Sequence, residues 1–240
     1  MAWPVCWNGR RTKYTSGRMP ELRNCEIEIK LRVRSLEELF ARLRKVRARG
    51  ERRVFEENTL YDTPGRGLFE QGKMLRLRVE TPVGGVASER PRRPPAAAVR
   101  GGKGVGWRRS RRALLTFKGR RGGDGRYKVR EEIETGVDDP AGLARVLQSI
   151  GFAPIFRYEK FRSLYCLPGM AGGVVALDET PAGLFLEVEG SMEAIDQVAT
   201  RLGFTASDYL TVSYWDLHEE HCRFRGVHVR DMQFGIKKVF

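Results

Sequence analysis

The chain has 240 residues, 41% of them hydrophobic, and a formal net charge of +14, enough for one large β-rich domain or two small ones with a proper core. No apolar run approaches the roughly 18 residues that a membrane-spanning helix needs, and no apolar stretch stands between a charged start and a cleavage site, so a cytoplasmic protein is expected. The basicity suggests a nucleic-acid binder only until it is located: residues 1–20 contribute +4, 81–113 contribute +8 and 222–240 contribute +4, leaving the rest at −2.

In chain order, residues 1–20 read as a disordered basic leader, with Met19 an alternative start. Period-2 alternation then predicts eight strands, near 24–34, 53–62, 73–80, 113–119, 126–135, 155–166, 173–179 and 183–190. Ser35 caps a helix over "SLEELFARLRKV", with Glu38 completing a capping box and Leu36, Leu39, Phe40, Leu43 and Val46 on one stripe. The stretch "ERPRRPPAAAVRGGKGVGWRRSRR" has no periodicity and reads as a flexible basic insertion over 81–113; its "GKGVG" lacks the strand-then-helix context of a phosphate loop. "GRRGGDGR" and "PAG" join neighbouring strands as hairpins, so most pairings are expected to be antiparallel. Asp139 and Pro140 open a second helix closed by Gly151, Ser191 opens a third closed by Gly203, and a fourth is expected over 207–221. Residues 222–240 read as a basic tail.

"CEIEIKLRV" at 25–33 places Glu26, Glu28, Lys30 and Arg32 on one parity and Ile27, Ile29, Leu31 and Val33 on the other. The same division recurs with Arg76 and Arg78, with Lys118, with Lys128, Arg130, Glu132 and Glu134, with Lys160 and Arg162, with Asp178, and with Glu187 and Glu189. Every strand except the second supplies such residues. For a single strand the ordinary account is a half-exposed sheet, apolar inside and charged outside. Here, however, nearly all the polar positions are ionised, and amphipathic helices covering the apolar faces leave the charged faces to open water or to the inside of a closed barrel, for which eight strands suffice. Like charges 5 Å apart repel by about 3 kcal/mol at an effective dielectric near 20. Clustered acids therefore call for cations and clustered bases for a polyanion, and a triphosphate with Mg²⁺ or Mn²⁺ supplies both.

"EIEIKLRV" resembles the ExExK signature of the CYTH domain, the triphosphate tunnel metalloenzymes, which include class IV adenylyl cyclases, thiamine triphosphatases and inorganic triphosphatases. The resemblance spans about residues 22–217 through an ordered set of blocks: "NTLYDTP…GKMLRLR", "TFKG" with "VREEIE", "YEKFRSLY", "LDETPAGLFLEVEG" and the cyclase-like ending "TVSYWDLH". It implies an α+β fold: an eight-stranded antiparallel closed β-barrel with a charged tunnel inside and helices outside, formed here by residues 21–221.

By the same resemblance, Glu26, Glu28, Glu187 and Glu189 match the family's metal-binding acids, with Asp178, Glu132 and Glu134 as second candidates for Mg²⁺ or Mn²⁺. Lys30, Arg76, Arg78, Lys118, Arg130, Lys160 and Arg162 match the phosphate-binding bases. Lys30 is in addition the catalytic candidate: it orients or deprotonates the nucleophile, or else serves as counter-charge to Glu26 and Glu28. The implied partner is a triphosphate substrate, ATP, tripolyphosphate or thiamine triphosphate; membrane and nucleic acid are not expected partners, and a homodimer is left open. The leading reading is a class IV adenylyl cyclase-like enzyme, with hydrolysis of inorganic or thiamine triphosphate next and a non-catalytic polyphosphate- or RNA-binding module third.

Three features carry less. Cys6, Cys25, Cys166 and Cys222 show neither close pairing nor metal-type spacing and are expected as free thiols. "HEEHC" at 218–222 reads as a solvated helix end rather than a metal site, and Trp3, Trp7 and Trp107 fall in segments expected to be unstructured.

Overall fold

A computed structural model describes residues 25–84, 111–122, 125–170 and 172–235. The leader, the greater part of the basic insertion, Cys6 and the tryptophans at 3, 7 and 107 lie outside the described residues.

Eight strands form the wall: β1 (Cys25–Val33), β2 (Arg49–Asp62), β3 (Met74–Pro82), β4 (Arg112–Gly122), β5 (Lys128–Val137), β6 (Ala153–Cys166), β7 (Val174–Thr180) and β8 (Gly183–Glu189). They follow the order β5-β4-β3-β2-β6-β7-β8-β1, and β5 pairs again with β1, so the sheet closes on itself. All these pairings are antiparallel. The molecule is therefore the closed eight-stranded barrel that the alternation permitted and the resemblance implied. The turn between β7 and β8 has Gly183 at φ 136°, a backbone conformation that side-chain-bearing residues avoid.

The apolar parity of the strands faces outward, where the helices cover it. Helices α1 (Leu36–Lys45) and α4 (Met192–Arg201) lay Leu39, Leu43, Ile195 and Val198 over Ile29, Leu31, Val175, Leu177, Leu186 and Val188. The short helix α2 (Gly67–Glu70) follows β2, and α3 (Pro140–Ser149) sets Leu147 against Tyr61 and Leu77. Ser35, Asp139 and Ser191 cap α1, α3 and α4 as expected, each accepting a bond from a first-turn amide.

β2 begins four residues early, at Arg49, β4 runs on to Gly122, and the last helix differs from expectation at both ends. The helix expected over 207–221 begins only at Tyr214, as α5 (Tyr214–Arg225), because a 3₁₀ turn at Ala206–Asp208 and a two-residue strand β9 (Tyr209–Leu210) intervene. β9 pairs with Lys30 and Leu31 of β1, beyond the last residue that β5 reaches, and Ser213 with Asp216 then starts α5 in a capping box. The helix also runs past the expected domain end and stops at Gly226, φ 64°.

The segment after α5, read as part of a tail, is likewise tied to the barrel at residues 231–234. Met232 is 0% exposed, sits among Phe156, Tyr158, Phe185 and Leu217, and exchanges backbone bonds with Arg157 and Glu159 of β6 where β7 no longer pairs. Thus β9 and Met232 each fill a seam left by staggered strands. "HEEHC" is corrected accordingly: His218 is buried, with Nε2 2.9 Å from the Arg230 carbonyl and 3.5 Å from Cys222 Sγ, and burial pushes the imidazole below its usual range.

Two measurements test this packing. Met232→Ala should cost about 3 kcal/mol in chemical denaturation, as for other fully buried methionines; no loss would mean that the strap contributes nothing to the barrel. Asp62 accepts amide bonds from Thr63, Leu68 and Phe69 at 2.7–2.9 Å, which outweigh burial and hold its carboxyl below the usual aspartate range. Asp62→Ala should therefore cost about 2 kcal/mol at neutral pH. Because the folded pKa is the lower one, that contribution is present above the unfolded aspartate value and fades as pH falls through the folded value; denaturation curves of the two proteins should converge in acid.

Candidate active site

The inner parity of the wall lines a cavity of about 1690 Å³. Register explains its chemistry: Glu28 faces Glu189 and Lys30 faces Glu187 across β1 and β8, while Glu26 faces Arg130 and Glu28 faces Lys128 across β1 and β5. On the far wall Glu56 faces Lys160 across β2 and β6, and Asn58 faces Arg78 across β2 and β3. Closure therefore brings ionised residues from all eight strands onto one inner surface.

One pole of that surface is rich in bases. Lys160 Nζ is 2.8 Å from Asp178 and 3.5 Å from Glu56, and Arg162 grips Asp178 in a fork at 2.7 and 2.6 Å while also pairing with Glu187. Arg78 lies 3.1 Å from Glu56 and donates to Asn58 at 2.8 Å. Arg76 donates to Thr116 at 3.2 Å and reaches the Tyr158 hydroxyl at 3.5 Å; Glu134 is 3.9 Å away and accepts from Thr116. The Tyr214 hydroxyl, entering from α5, donates to Asp178.

Four bases surround two deeply buried acids here, and the protonation states follow. Burial alone would raise Glu56, which is 0% exposed, but Arg78, Lys160, Arg162 and Arg76 hold it well below the carboxylate range. Burial, then Arg162, brings Lys160 down to about 8. The Tyr158 phenol, which burial would raise, is drawn down to about 8 by Arg76 and Arg78.

The other pole is rich in acids. Glu28 accepts from Lys128 at 2.6 Å and from Lys30 at 3.0 Å; Glu26 pairs with Lys118, which lies 3.7 Å from Glu132. Among the described residues no base ion-pairs with Glu189. Loss of solvent, then Glu26, Glu132 and Glu28, raise its carboxyl to about 8. This is an oxygen donor set with more carboxyl groups than bases, and it suits a hard divalent cation, whose charge would favour the ionised form of Glu189. Among the described residues no three of these side chains lie together as a ready-made metal cage; Mg²⁺ in general takes one or two carboxylates and completes its shell with water and phosphate oxygens.

Between the poles Lys30 lies 3.0 Å from both Glu28 and Glu187 and 5.1 Å from the centre of the Tyr214 ring. The structure thus assembles nearly every sequence-predicted site residue on one surface. The partial exception is Arg130, which lines the cavity but donates to the carbonyls of Gly119 and Gly72. Arg32 points outward to Glu220 at 2.9 Å, exposed.

Sequence reasoning passed over Glu56, Asn58, Thr116, Tyr158 and Tyr214, and the statement that the second strand supplies no charged wall residue is wrong. β2 carries Glu56, the acid at the centre of the basic pole. Its signal is blurred because Val54 and Leu60 share the inner parity with Glu56, while Arg53 on the outer parity is buried against Glu179 at 2.8 Å. Tyr214 was visible only as part of the "TVSYWDLH" block.

Comparison with known proteins accords with this geometry. A protein from Methanocaldococcus jannaschii named "Putative adenylate cyclase" is 23% identical over 172 residues, 72% of this chain and 80% of the relative. Among solved structures, a "putative adenylate cyclase" from Vibrio parahaemolyticus superposes with a TM-score of 0.58 at 20% identity, covering 81% of this chain and 97% of that one. A Pyrococcus horikoshii protein gives 0.60 at 21% identity, covering 81% and 98%. A Hippeastrum protein, described as a "putative adenylyl cyclase" with "a dominant triphophatase activity", gives 0.53 at 16% identity, covering 85% and 97%. The model of the CYTH domain matches residues 24–202, and with the closed barrel and charged inner wall already in place, the chain belongs to the CYTH domain family.

Proposed function

We propose that the protein is a divalent-metal-dependent enzyme acting on a triphosphate, and that its reaction is the cyclisation of ATP to cyclic AMP and pyrophosphate. The observation that carries this reading is the division of the inner wall into a pole with surplus base and a pole with surplus acid. A triphosphate and its metal ion match those two surpluses.

Arg76, Arg78, Lys160 and Arg162 are placed to bind phosphate oxygens, and the forked guanidinium of Arg162 already shows the geometry suited to an oxyanion pair. Glu26, Glu28, Glu132 and Glu189, gathered at the acidic pole, are the residues that would hold Mg²⁺ or Mn²⁺, while Glu187, Asp178 and Glu134 lie against Lys30, Lys160, Arg162 and Arg76 toward the basic pole. The ion, when bound, neutralises phosphate charge and favours in-line displacement at phosphorus. In cyclisation the ribose 3′-oxygen forms the new bond to the α-phosphorus, the bond from that phosphorus to the bridging oxygen breaks, and pyrophosphate leaves with the electron pair. The 3′-hydroxyl proton is lost to a base. Arginines around the departing phosphates stabilise the charge they acquire.

Lys30, between two carboxylates, is fitted by its contacts to fix the spacing of Glu28 and Glu187, which favours a positioning role over proton abstraction.

Hydrolysis of inorganic or thiamine triphosphate is the second reading. It is favoured by a wall that addresses phosphates alone and by the activity named for the Hippeastrum neighbour.

Incubation with ATP, tripolyphosphate and thiamine triphosphate, each with Mg²⁺ or Mn²⁺, followed by product identification, separates these readings. Cyclic AMP and pyrophosphate from ATP are expected, and Arg78→Ala should slow their formation about a hundredfold. Orthophosphate released from tripolyphosphate in preference would replace cyclisation by hydrolysis. Absence of metal-dependent turnover on all three would leave only a polyphosphate- or RNA-binding module.

A further inference from the structure

Directly behind the acidic pole, one edge of β1 is completed by two different chain segments. β5 pairs with that edge from Cys25 to Glu28, and β9 takes over at Lys30 and Leu31, while β8 occupies the opposite edge. Ile29, between them, is registered only with Val188 of β8 among the described pairings. Lys128, the first residue of β5, and Leu210, the last of β9, therefore meet at a junction in the closed wall, opposite Glu28 and Lys30. Strand ends are where a sheet opens most easily.

A clasp on the outer surface holds this junction. Asp196, on α4, accepts from the Tyr127 hydroxyl at 2.9 Å and from the Tyr209 hydroxyl at 2.8 Å, and these two residues immediately precede Lys128 and Leu210. The Arg126 guanidinium donates to the same carboxylate at 2.9 Å and lies over both rings, 5.2 and 5.8 Å from their centroids. Arg121 of β4 donates to Thr211, which joins the β4–β5 hairpin to the end of β9 a second time.

What the clasp fixes lies on the inner wall. Lys128 reaches the Glu28 carboxylate at 2.6 Å and Lys30 reaches it at 3.0 Å, so that carboxylate is held from both sides of the junction. Arg76, Arg78, Lys160 and Arg162 stand on β3 and β6, which take no part in it.

We propose, building on the triphosphate reading of the tunnel, that Asp196 is a positioning residue for the reaction. Acting from outside the barrel through Tyr127 and Tyr209, it keeps the ends of β5 and β9 together and so sets Lys128, Glu28 and Lys30 in the arrangement that turnover requires. Binding of phosphate to the far wall does not depend on it.

Steady-state turnover of the triphosphates with Mg²⁺ or Mn²⁺, paired with calorimetric titration of the full chain with tripolyphosphate in metal-free buffer, tests this. Asp196→Ala should lower kcat about tenfold while tripolyphosphate binding stays within about twofold of wild type. Asp196→Asn should restore kcat to within about twofold, because both hydroxyls reach Oδ1 and an amide oxygen can accept there. The Arg126 ion pair that it loses is partly exposed and contributes little. Unchanged kcat in Asp196→Ala, an equal loss of turnover and of tripolyphosphate binding, or an Asn variant as impaired as the Ala variant overturns the positioning role and leaves the triphosphate reading intact. If wild type turns over none of the triphosphates, that reading falls and the positioning role with it. The Asp196 side chain is 36% exposed, so both variants are expected to fold.

Discussion

Everything in this structure depends on neutralising charge inside a barrel. Removing a carboxylate or a guanidinium from water costs several kcal/mol, and only close, well-directed partners recover it. Glu56 and Asp178 meet that requirement with Arg78, Lys160 and Arg162; Glu28 and Glu187 meet it with Lys128 and Lys30. The pairing is incomplete at each pole, in opposite senses. A wall that served only stability would be better filled with apolar side chains, so its ionised state is best understood as preparation for a charged ligand. The groups are preorganised, and their mutual attraction is what the ligand must displace or extend.

The outer surface follows from the same constraint. Once the charged parity turns inward, the apolar parity must be covered from outside, and α1 and α4 do this over β1, β7 and β8. The seams matter as much as the strands. β9 against β1 and Met232 against β6 occupy positions where a staggered neighbour has run out, and α5, strung between them, carries Tyr214 to Asp178.

Much of this was legible in the sequence, for identifiable reasons. β1 as far as Leu31 and β8 alternate cleanly because one face packs on the helix-covered core and the other meets the tunnel, so Glu26, Glu28, Lys30, Glu187 and Glu189 could be placed on one wall from spacing alone. β5 is less regular, with exposed Glu131 and half-exposed Ile133 on its outer parity. Closure could not be read that way, since alternation looks the same in an open sheet; the family resemblance supplied it. β2 was misread because its inner face changes character along its length, from Val54 through Glu56 and Asn58 to Leu60, and its outer face buries Arg53 against Glu179. The strap at Met232 was missed for a different reason: a single buried side chain in a basic, glycine-containing segment leaves no periodic trace, and its partner strand is about seventy residues away in the chain.

The central claim is that the two poles of the inner wall receive a polyanion and its metal. A crystal structure of the protein soaked with tripolyphosphate and Mg²⁺ tests it most directly. The account predicts phosphate groups inside the barrel within hydrogen-bonding distance of Arg76, Arg78, Lys160 and Arg162, with the metal on the side of Glu26, Glu28 and Glu189. Phosphate bound only on the outer surface, with the ion pairs of the inner wall unchanged, would contradict it.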